Sequence, residues 1–459
     1  MAALFGAVAS RASARALQTR LPLTTSSLRS YATVNAIPPK PHHRVVIVGG
    51  GTAGVTVAAQ LLKTKEFQKD EIAILDPAKD HHYQPGWTLV GSGLKPLSDM
   101  SRPLSSIIPE NVTHYPLQVS KFDPENNELK TTDGVEVSYE YLVVAPGLEV
   151  NFGGVKGLPE ALQDSSSNVS SIYSNNTVEQ VWKNIQGFKK GTAIFTQPAG
   201  VIKCAGAPQK IMWMALSQWE KDGVRKEILP YFATGAPAMF AVPKYSKALE
   251  ELRVQRQVEG LFQHNLVGVD VKSKTATFKN LADNGKEVQK EFGFLHVVPP
   301  QKPWNWVAKS PLADSAGWVD VDKTTTQHNK FTNVFSIGDA SSLPNSKTAA
   351  AISSQAPVLV DNLLAAIRGK ELSAGYTGYA SCPLLTGHNE LMLCEFKYGG
   401  VPDETFAKVP GIGSQDVPRR VFYHLKKDFF PSVYWNSFVK GTWYGPRAWF
   451  KPDTAKTSA

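Results

Sequence analysis

The stretch that most constrains this chain is residues 43–62, HRVVIVGGGTAGVTVAAQLL. Val45, Val46, Ile47 and Val48 form a short β-branched run that ends in glycine. Gly49, Gly51 and Gly54 follow at the G-x-G-x-x-G spacing, with Gly50 between the first two. Val55, Ala58, Ala59 and Leu62 then recur at helical period, so strand, tight turn and helix are expected in direct succession. The first glycine permits the turn, the second lets backbone N–H groups approach a pyrophosphate, and the third lets the helix pack close to the strand. The helix N-terminus then faces the phosphate charge. Residues 71–75 read as a second strand, and Asp76 lies 22 residues beyond Gly54, where such folds place the acid that bonds ribose hydroxyls. A glycine-rich turn without a ligand is the competing reading. Strand, helix and acid together favour a dinucleotide site.

With 459 residues the chain is long enough for two or three domains, and 42% hydrophobic against 19% charged residues fits a globular protein. The net charge of +9 includes Arg11, Arg15, Arg20 and Arg29, and without them it is +5. That excess suits an anionic membrane surface or an anionic substrate. No Lys/Arg run of nucleic-acid type occurs, which argues against that partner. Only Cys204, Cys382 and Cys394 are present, without a C-x-x-C, so neither a disulfide scaffold nor a zinc ribbon is expected.

Residues 1–31 are rich in Arg, Ala and Ser, and the first acid of the chain is Glu66, the signature of a mitochondrial transit peptide. After Asp76, His81 and His82 resemble a metal pair, but no carboxylate or cysteine cluster joins them, and packing or solvated histidines are the better reading. Gln84, in the Tyr83-Gln84-Pro85 loop, and Trp87 fall where a loop runs beside a bound isoalloxazine. Residues 112–121 alternate as a strand whose backbone near Val119 is offered to an adenine. A buried-type strand over 139–144 ends at Ala145-Pro146-Gly147, where the chain leaves the first domain.

Residues 191–196 begin a second domain of the same kind. A pyridine-nucleotide reductase has a second phosphate-binding glycine turn here; this chain has Gln197-Pro198-Ala199-Gly200 and then Lys203-Cys204. Lys203, adjacent to Cys204, favours its thiolate if its side chain points toward the sulfur, and pointing elsewhere is the alternative. Helices are expected over 210–220 and 247–264, and strands over 266–279 and 286–298. A buried strand beginning near Phe331 ends in Gly338-Asp339, whose carboxylate suits a ribityl chain and first phosphate. Lys347 and Thr348 then open a small-residue helix whose N-terminus faces the flavin carbonyls.

Cys382 follows 178 residues after Cys204, whereas Cys394 alternates within an apolar strand and reads as a buried structural thiol. Residues 422–450 hold eleven aromatics in 29 positions against 10% for the chain, interleaved with Lys426, Lys427, Lys440 and Arg447. That mixture suits a pair of short helices lying in a membrane interface; packing over a core is the alternative. All the motifs above precede residue 420, so the tail is expected to be separable from the redox site.

Gly49 to Gly54, Ala145-Pro146-Gly147, the run ending at Asp339, and the contexts of Cys204 and Cys382 together resemble the mitochondrial sulfide:quinone oxidoreductase family of disulfide-reductase-like flavoproteins. The resemblance implies an α/β fold of two Rossmann-like domains with a C-terminal membrane-associating helical region. It divides the chain into a leader (1–31), a first FAD-binding part (40–150), a second Rossmann-like domain without a nucleotide fingerprint (151–320), completion of the FAD domain with the second redox cysteine (321–418), and the anchoring tail (419–459). It also implies FAD, sulfide, ubiquinone and a small sulfur acceptor such as glutathione or sulfite. The implied location is the inner mitochondrial membrane, attached from one side. Sulfide attacks the oxidised Cys204/Cys382 pair in that scheme, leaving a persulfide on Cys382 while Cys204 engages the flavin. An NADH:quinone oxidoreductase of the same fold and a non-catalytic membrane-associated flavoprotein are the rival readings.

Overall fold

The computed structural model describes residues 40–455; the leader reading on 1–31 lies outside them. The strand His42–Val48 is the middle of a seven-stranded sheet, and Val45 to Val48 are all at most 2% exposed. A continuous apolar run of this kind is what a parallel strand covered on both faces requires. Ile72–Leu75 pairs parallel on one side, with Ile47 opposite Ile74, and Glu136–Val144 parallel on the other, with Ile47 opposite Val143. Val334–Ser336 returns from far along the chain to extend the same sheet beside Glu136–Val144. The motif near Asp339 is thereby delivered to the same carboxyl end of the sheet as the glycine turn.

A second, five-stranded sheet is parallel throughout, in the order Val169–Ser170, Phe294–His296, Gly191–Gln197, Ile228–Thr234, Glu259–Phe262. The linkers between the two sheets run side by side, Glu149–Val150 against Gln301–Lys302. A hairpin of Ala380–Gly387 and Glu390–Lys397 follows the long Ala349–Ile367 helix and sets Cys382 directly opposite Cys394. That helix is apolar enough by length and composition to cross a membrane, but it is 67% buried and packs as a core helix against Thr52–Lys63.

Several expected elements are divided differently. The strand over 112–121 breaks at Pro116, which has no N–H for a ladder, into Thr113–Tyr115 and Val119–Asp123. The helix over 247–264 is Pro243–Gln255; Gln257 turns left-handed (φ +51), and the chain then joins the parallel sheet as Glu259–Phe262. The two strands expected over 266–298 are four. His264–Asp270, Thr275–Asn280 and Lys286–Glu291 form an antiparallel sheet, and Phe294–His296 crosses to the parallel one. In place of two short tail helices there is one continuous run, Arg420–His424, Leu425–Phe429, Phe430–Val433 and Tyr434–Phe438, in which α and π turns alternate.

Candidate active site

The glycine turn divides its work as the spacing implies. Gly49 has φ +106, and a Cβ on it would lie 2.4 Å from the Ala145 carbonyl, so turn and neighbouring strand touch. A Cβ on Gly54 would lie 1.9 Å from the Gly49 carbonyl, which is the close packing of helix on turn. Gly51 differs: a Cβ there would meet nothing within 4 Å, because the residue faces a cavity of about 750 Å³. That open cradle sits at the first turn of Thr52–Lys63, whose N–H groups have no partners within the helix, and it fits a pyrophosphate. Asp76 accepts from Gly50 N–H at 2.6 Å and from Ala78 N–H at 2.8 Å, so its carboxylate also shapes the turn.

At the other end of the cavity the chain turns at Gly338 (φ +72), and Asp339 follows on the wall. Thr348 Oγ1 accepts from Ala351 N–H at 3.1 Å and caps the Ala349–Ile367 helix, whose N-terminus opens onto the cavity. Lys347 is buried; its Nζ donates to the Ser341 carbonyl at 2.9 Å and lies 4.1 Å from the Trp318 ring centroid. Burial brings its pKa down to about 8, against the pull of Asp339. Burial likewise raises the pKa of Asp339, with Lys347 and Lys203 opposing.

Between these ends stands the cysteine loop. Cys204 Sγ and Cys382 Sγ are 3.9 Å apart, Cys204 on the cavity wall and Cys382 behind it at 2% exposure. Cys204 has φ +54, a conformation that L-residues rarely adopt and that persists only where the surroundings hold it. Here its N–H donates to the Lys347 carbonyl at 2.9 Å, and its own carbonyl accepts from Ala207 N–H at 2.8 Å. Lys210, one of the largest fully buried side chains, brings Nζ to 3.3 Å from Cys204 Sγ.

The hydrogen bond from Cys382 lowers the Cys204 pKa well below the ordinary thiol value; burial opposes this, and the charges of Lys210 and Lys426 add to it. The same shared proton, followed by burial and the Cys204 charge, raises Cys382. Both directions favour the negative charge on Cys204 over Cys382. Lys426 itself, from the tail, is driven down to about 7, chiefly by burial and then by Lys210.

The partner of Cys204 is therefore not Lys203, as its adjacency suggests. Lys203 Nζ donates to Gln84 Oε1 at 2.9 Å and lies 5.4 Å from the Trp87 ring centroid. Lys210 is six residues on, within a helix from Ala207 to Lys221 whose neighbouring positions Ile211, Met212 and Trp213 are buried. A lysine amid such a run is the signal that was available.

Gly49, Gly50, Gly51, Asp76, Gln84, Ala145, Gly147, Cys204, Gly338, Asp339, Lys347 and Thr348 all line one cavity. Gly54 lies beneath the turn, and Val119, buried in the hairpin with Glu128–Thr131, is not on the wall. Sequence reasoning missed Lys210, Lys426 and Tyr434. His81 is buried and hydrogen-bonds through both ring nitrogens, to the Gly50 carbonyl and the Tyr434 hydroxyl, and among the described residues no group of three or more His, Cys, Asp and Glu is arranged to hold a metal ion.

Gly206 sets the approach of the two sulfurs, because a Cβ there would lie 2.4 Å from Cys382 Sγ. Gly206→Ala is expected to push Cys382 away and slow closure of the pair by at least about tenfold. Timed thiol counting during reoxidation measures this, and closure at the parent rate refutes it.

Residues 43–194 match the model of the pyridine nucleotide-disulphide oxidoreductase family. A Schizosaccharomyces pombe protein named mitochondrial sulfide:quinone oxidoreductase is 47% identical over 428 residues, 90% of this chain and 93% of that protein. A Mus musculus protein of the same name is 40% identical over 89% of this chain and 88% of its own length. Among solved structures, the Aquifex aeolicus sulfide:quinone oxidoreductase superposes with a TM-score of 0.71 at 19% identity, over 86% of this chain and 92% of that one, a likeness of fold.

Proposed function

The chain belongs to the sulfide:quinone oxidoreductase family, and from that premise we propose that its flavin is FAD, held from Gly51 to Thr348, and that Cys204 and Cys382 are its redox pair. It is a mitochondrial flavoenzyme that oxidises sulfide with a quinone as electron acceptor. The observation that carries the site assignment is the sulfur pair at the dinucleotide cavity, Cys204 on the wall and Cys382 behind it, 3.9 Å between sulfurs with the buried Lys210 ammonium 3.3 Å from Cys204 Sγ.

That asymmetry sets the direction of attack. When the pair is oxidised, hydrosulfide reaching Cys382 Sγ forms a new S–S bond and breaks the Cys204–Cys382 bond. Cys204 departs as a thiolate and Cys382 keeps a persulfide. Exchange is faster the lower the leaving thiol's pKa, and Lys210 stabilises the charge on Cys204. A small nucleophile, glutathione or sulfite in class, then removes the outer sulfur and leaves Cys382 as thiol. The flavin, when bound, supplies the two-electron acceptor that restores the disulfide and a donor to quinone. Ubiquinone is the proposed acceptor, reached by peripheral attachment to the inner membrane through the aromatic tail.

The nicotinamide rival lacks support at the second sheet. The loop Pro198-Ala199-Gly200 lies on the carboxyl end of its strands, where a Cβ on Gly235 would be 2.4 Å from Ala199 N, and Asn265 Oδ1 accepts from Ala199 N–H at 2.9 Å. Those contacts tie down the loop, and its sequence lacks the second and third glycines of a phosphate-binding turn. Under anaerobic conditions sulfide is expected to bleach the flavin within the mixing time and a short-chain quinone to restore it, while NADH leaves the spectrum unchanged. Rapid bleaching by NADH, or none by sulfide, overturns the reading.

A further inference from the structure

The tail reaches deeper into the molecule than an anchor needs to. Tyr434 is 1% exposed and lies on the cavity wall, 382 residues after Thr52, with which its hydroxyl shares a 2.7 Å hydrogen bond. The same hydroxyl is 2.6 Å from His81 Nε2, and His81 Nδ1 is 3.0 Å from the carbonyl of Gly50. A carbonyl only accepts, so Nδ1 carries the imidazole proton and Nε2 is the acceptor. Tyr434 therefore donates to His81 and accepts from Thr52. Burial holds the His81 pKa down at about 4, so the ring stays neutral and this direction of donors is kept at physiological pH.

Both ends of the bridge fall on the phosphate turn. Gly50 is its middle glycine, fixed on the amide side by Asp76, and Thr52 is the first residue of the helix it opens. Other contacts seat the same tail on the first domain. Trp435 Nε1 donates to the Asp99 carbonyl at 3.1 Å, Lys426 Nζ to the Pro85 carbonyl at 2.6 Å, and Gly441 packs so closely that a Cβ would lie 2.8 Å from Gln60 N. These seat the helix, while among the described residues the hydrogen bonds of Tyr434 and His81 tie it to the turn.

We propose that Tyr434 and His81 are positioning residues that link seating of the C-terminal helix to formation of the phosphate turn, so that flavin binding and tail ordering strengthen one another. The proposal rests on the reading of the cavity as a flavin site. Linkage is reciprocal: whatever flavin gains from a seated tail, the tail gains from bound flavin. The two hydrogen bonds of the Tyr434 hydroxyl, one buried and one partly buried, set the scale at about tenfold.

The test uses the full-length protein with and without its flavin, and trypsin cutting at the exposed Lys440 and Arg447. Flavin removal is expected to speed cleavage about tenfold. Tyr434→Phe keeps the ring and is expected to weaken flavin binding about tenfold, and to abolish most of the difference in cleavage between the two forms. Thr52→Val, made on the other side of the bridge, is expected to loosen the tail in the same direction, and the double variant to cost less than the sum. It also keeps the proposal testable should Tyr434→Phe fail to fold. Equal cleavage with and without flavin, or parental flavin affinity in Tyr434→Phe, overturns the coupling alone. A parent protein that takes up no flavin overturns the coupling together with the cavity reading.

Discussion

Cys382→Ser is expected to abolish sulfide oxidation, by at least about a thousandfold in turnover, while leaving the flavin spectrum intact. Serine cannot form the disulfide that sulfide attacks, and the neighbouring thiolate is left with no bond to leave from. Cys204→Ser should do the same for the complementary reason that no leaving thiolate remains. Cys394→Ser is expected to retain most activity. Cys394 faces Cys382 across the hairpin and is fully buried, yet it is off the cavity wall, and burial holds its pKa far above the ordinary thiol value.

A finer variant separates the electrostatics from the sulfur chemistry. Lys210→Met removes the ammonium 3.3 Å from Cys204 and keeps most of the side-chain volume. The pKa of Cys204 is depressed in the folded protein, so losing a cation raises it, and thiolate formation moves to higher pH. Rates of alkylation of the reduced protein against pH read this directly. A Lys210→Met protein whose Cys204 titrates as in the parent refutes the assigned role, and an active Cys382→Ser enzyme refutes the pair.

How far the site was legible follows from where its constraints act. The glycine turn, Asp76 and the Gly338-Asp339 corner are local: each demands a residue type because of backbone geometry within a few positions, and spacing exposes them. The prolines after Gln197 were informative for the same reason, since they deny a phosphate nest within one loop. Lys210 was missed because Lys203 is adjacent to Cys204 in sequence, whereas it is the left-handed turn at Cys204 and the helix from Ala207 that bring Lys210, six residues on, to the sulfur. The strand boundaries around Gln257, Asn284 and Phe294 depend on left-handed residues other than glycine and on a return to the parallel sheet. Hydrophobic period reports neither.

The tail departs furthest from its reading as a segment separable from the redox site, because its aromatic and basic composition fits a cavity wall as well as a membrane interface. Leu425, Lys426, Val433, Tyr434 and Phe438 all line the cavity, so the tail is one of its walls. Deleting residues 420–459 is therefore expected to yield a protein that holds no flavin, so that sulfide has no chromophore to bleach. Membrane attachment needs a milder change. Phe450 is 79% exposed and Val421 49%, and neither lines the cavity. Changing both to serine removes apolar surface available to the acyl boundary while leaving the seated helix in place, and vesicle binding is expected to fall on the order of a hundredfold. High salt should weaken the parent's binding further by screening exposed Lys440, Arg447 and Lys451, without eliminating the apolar part. Flavin content and bleaching by sulfide are expected to stay at parental levels in the double serine variant. If it stays on vesicles as the parent does, the membrane face lies elsewhere. If the 420–459 deletion keeps its flavin, the tail is not part of the site.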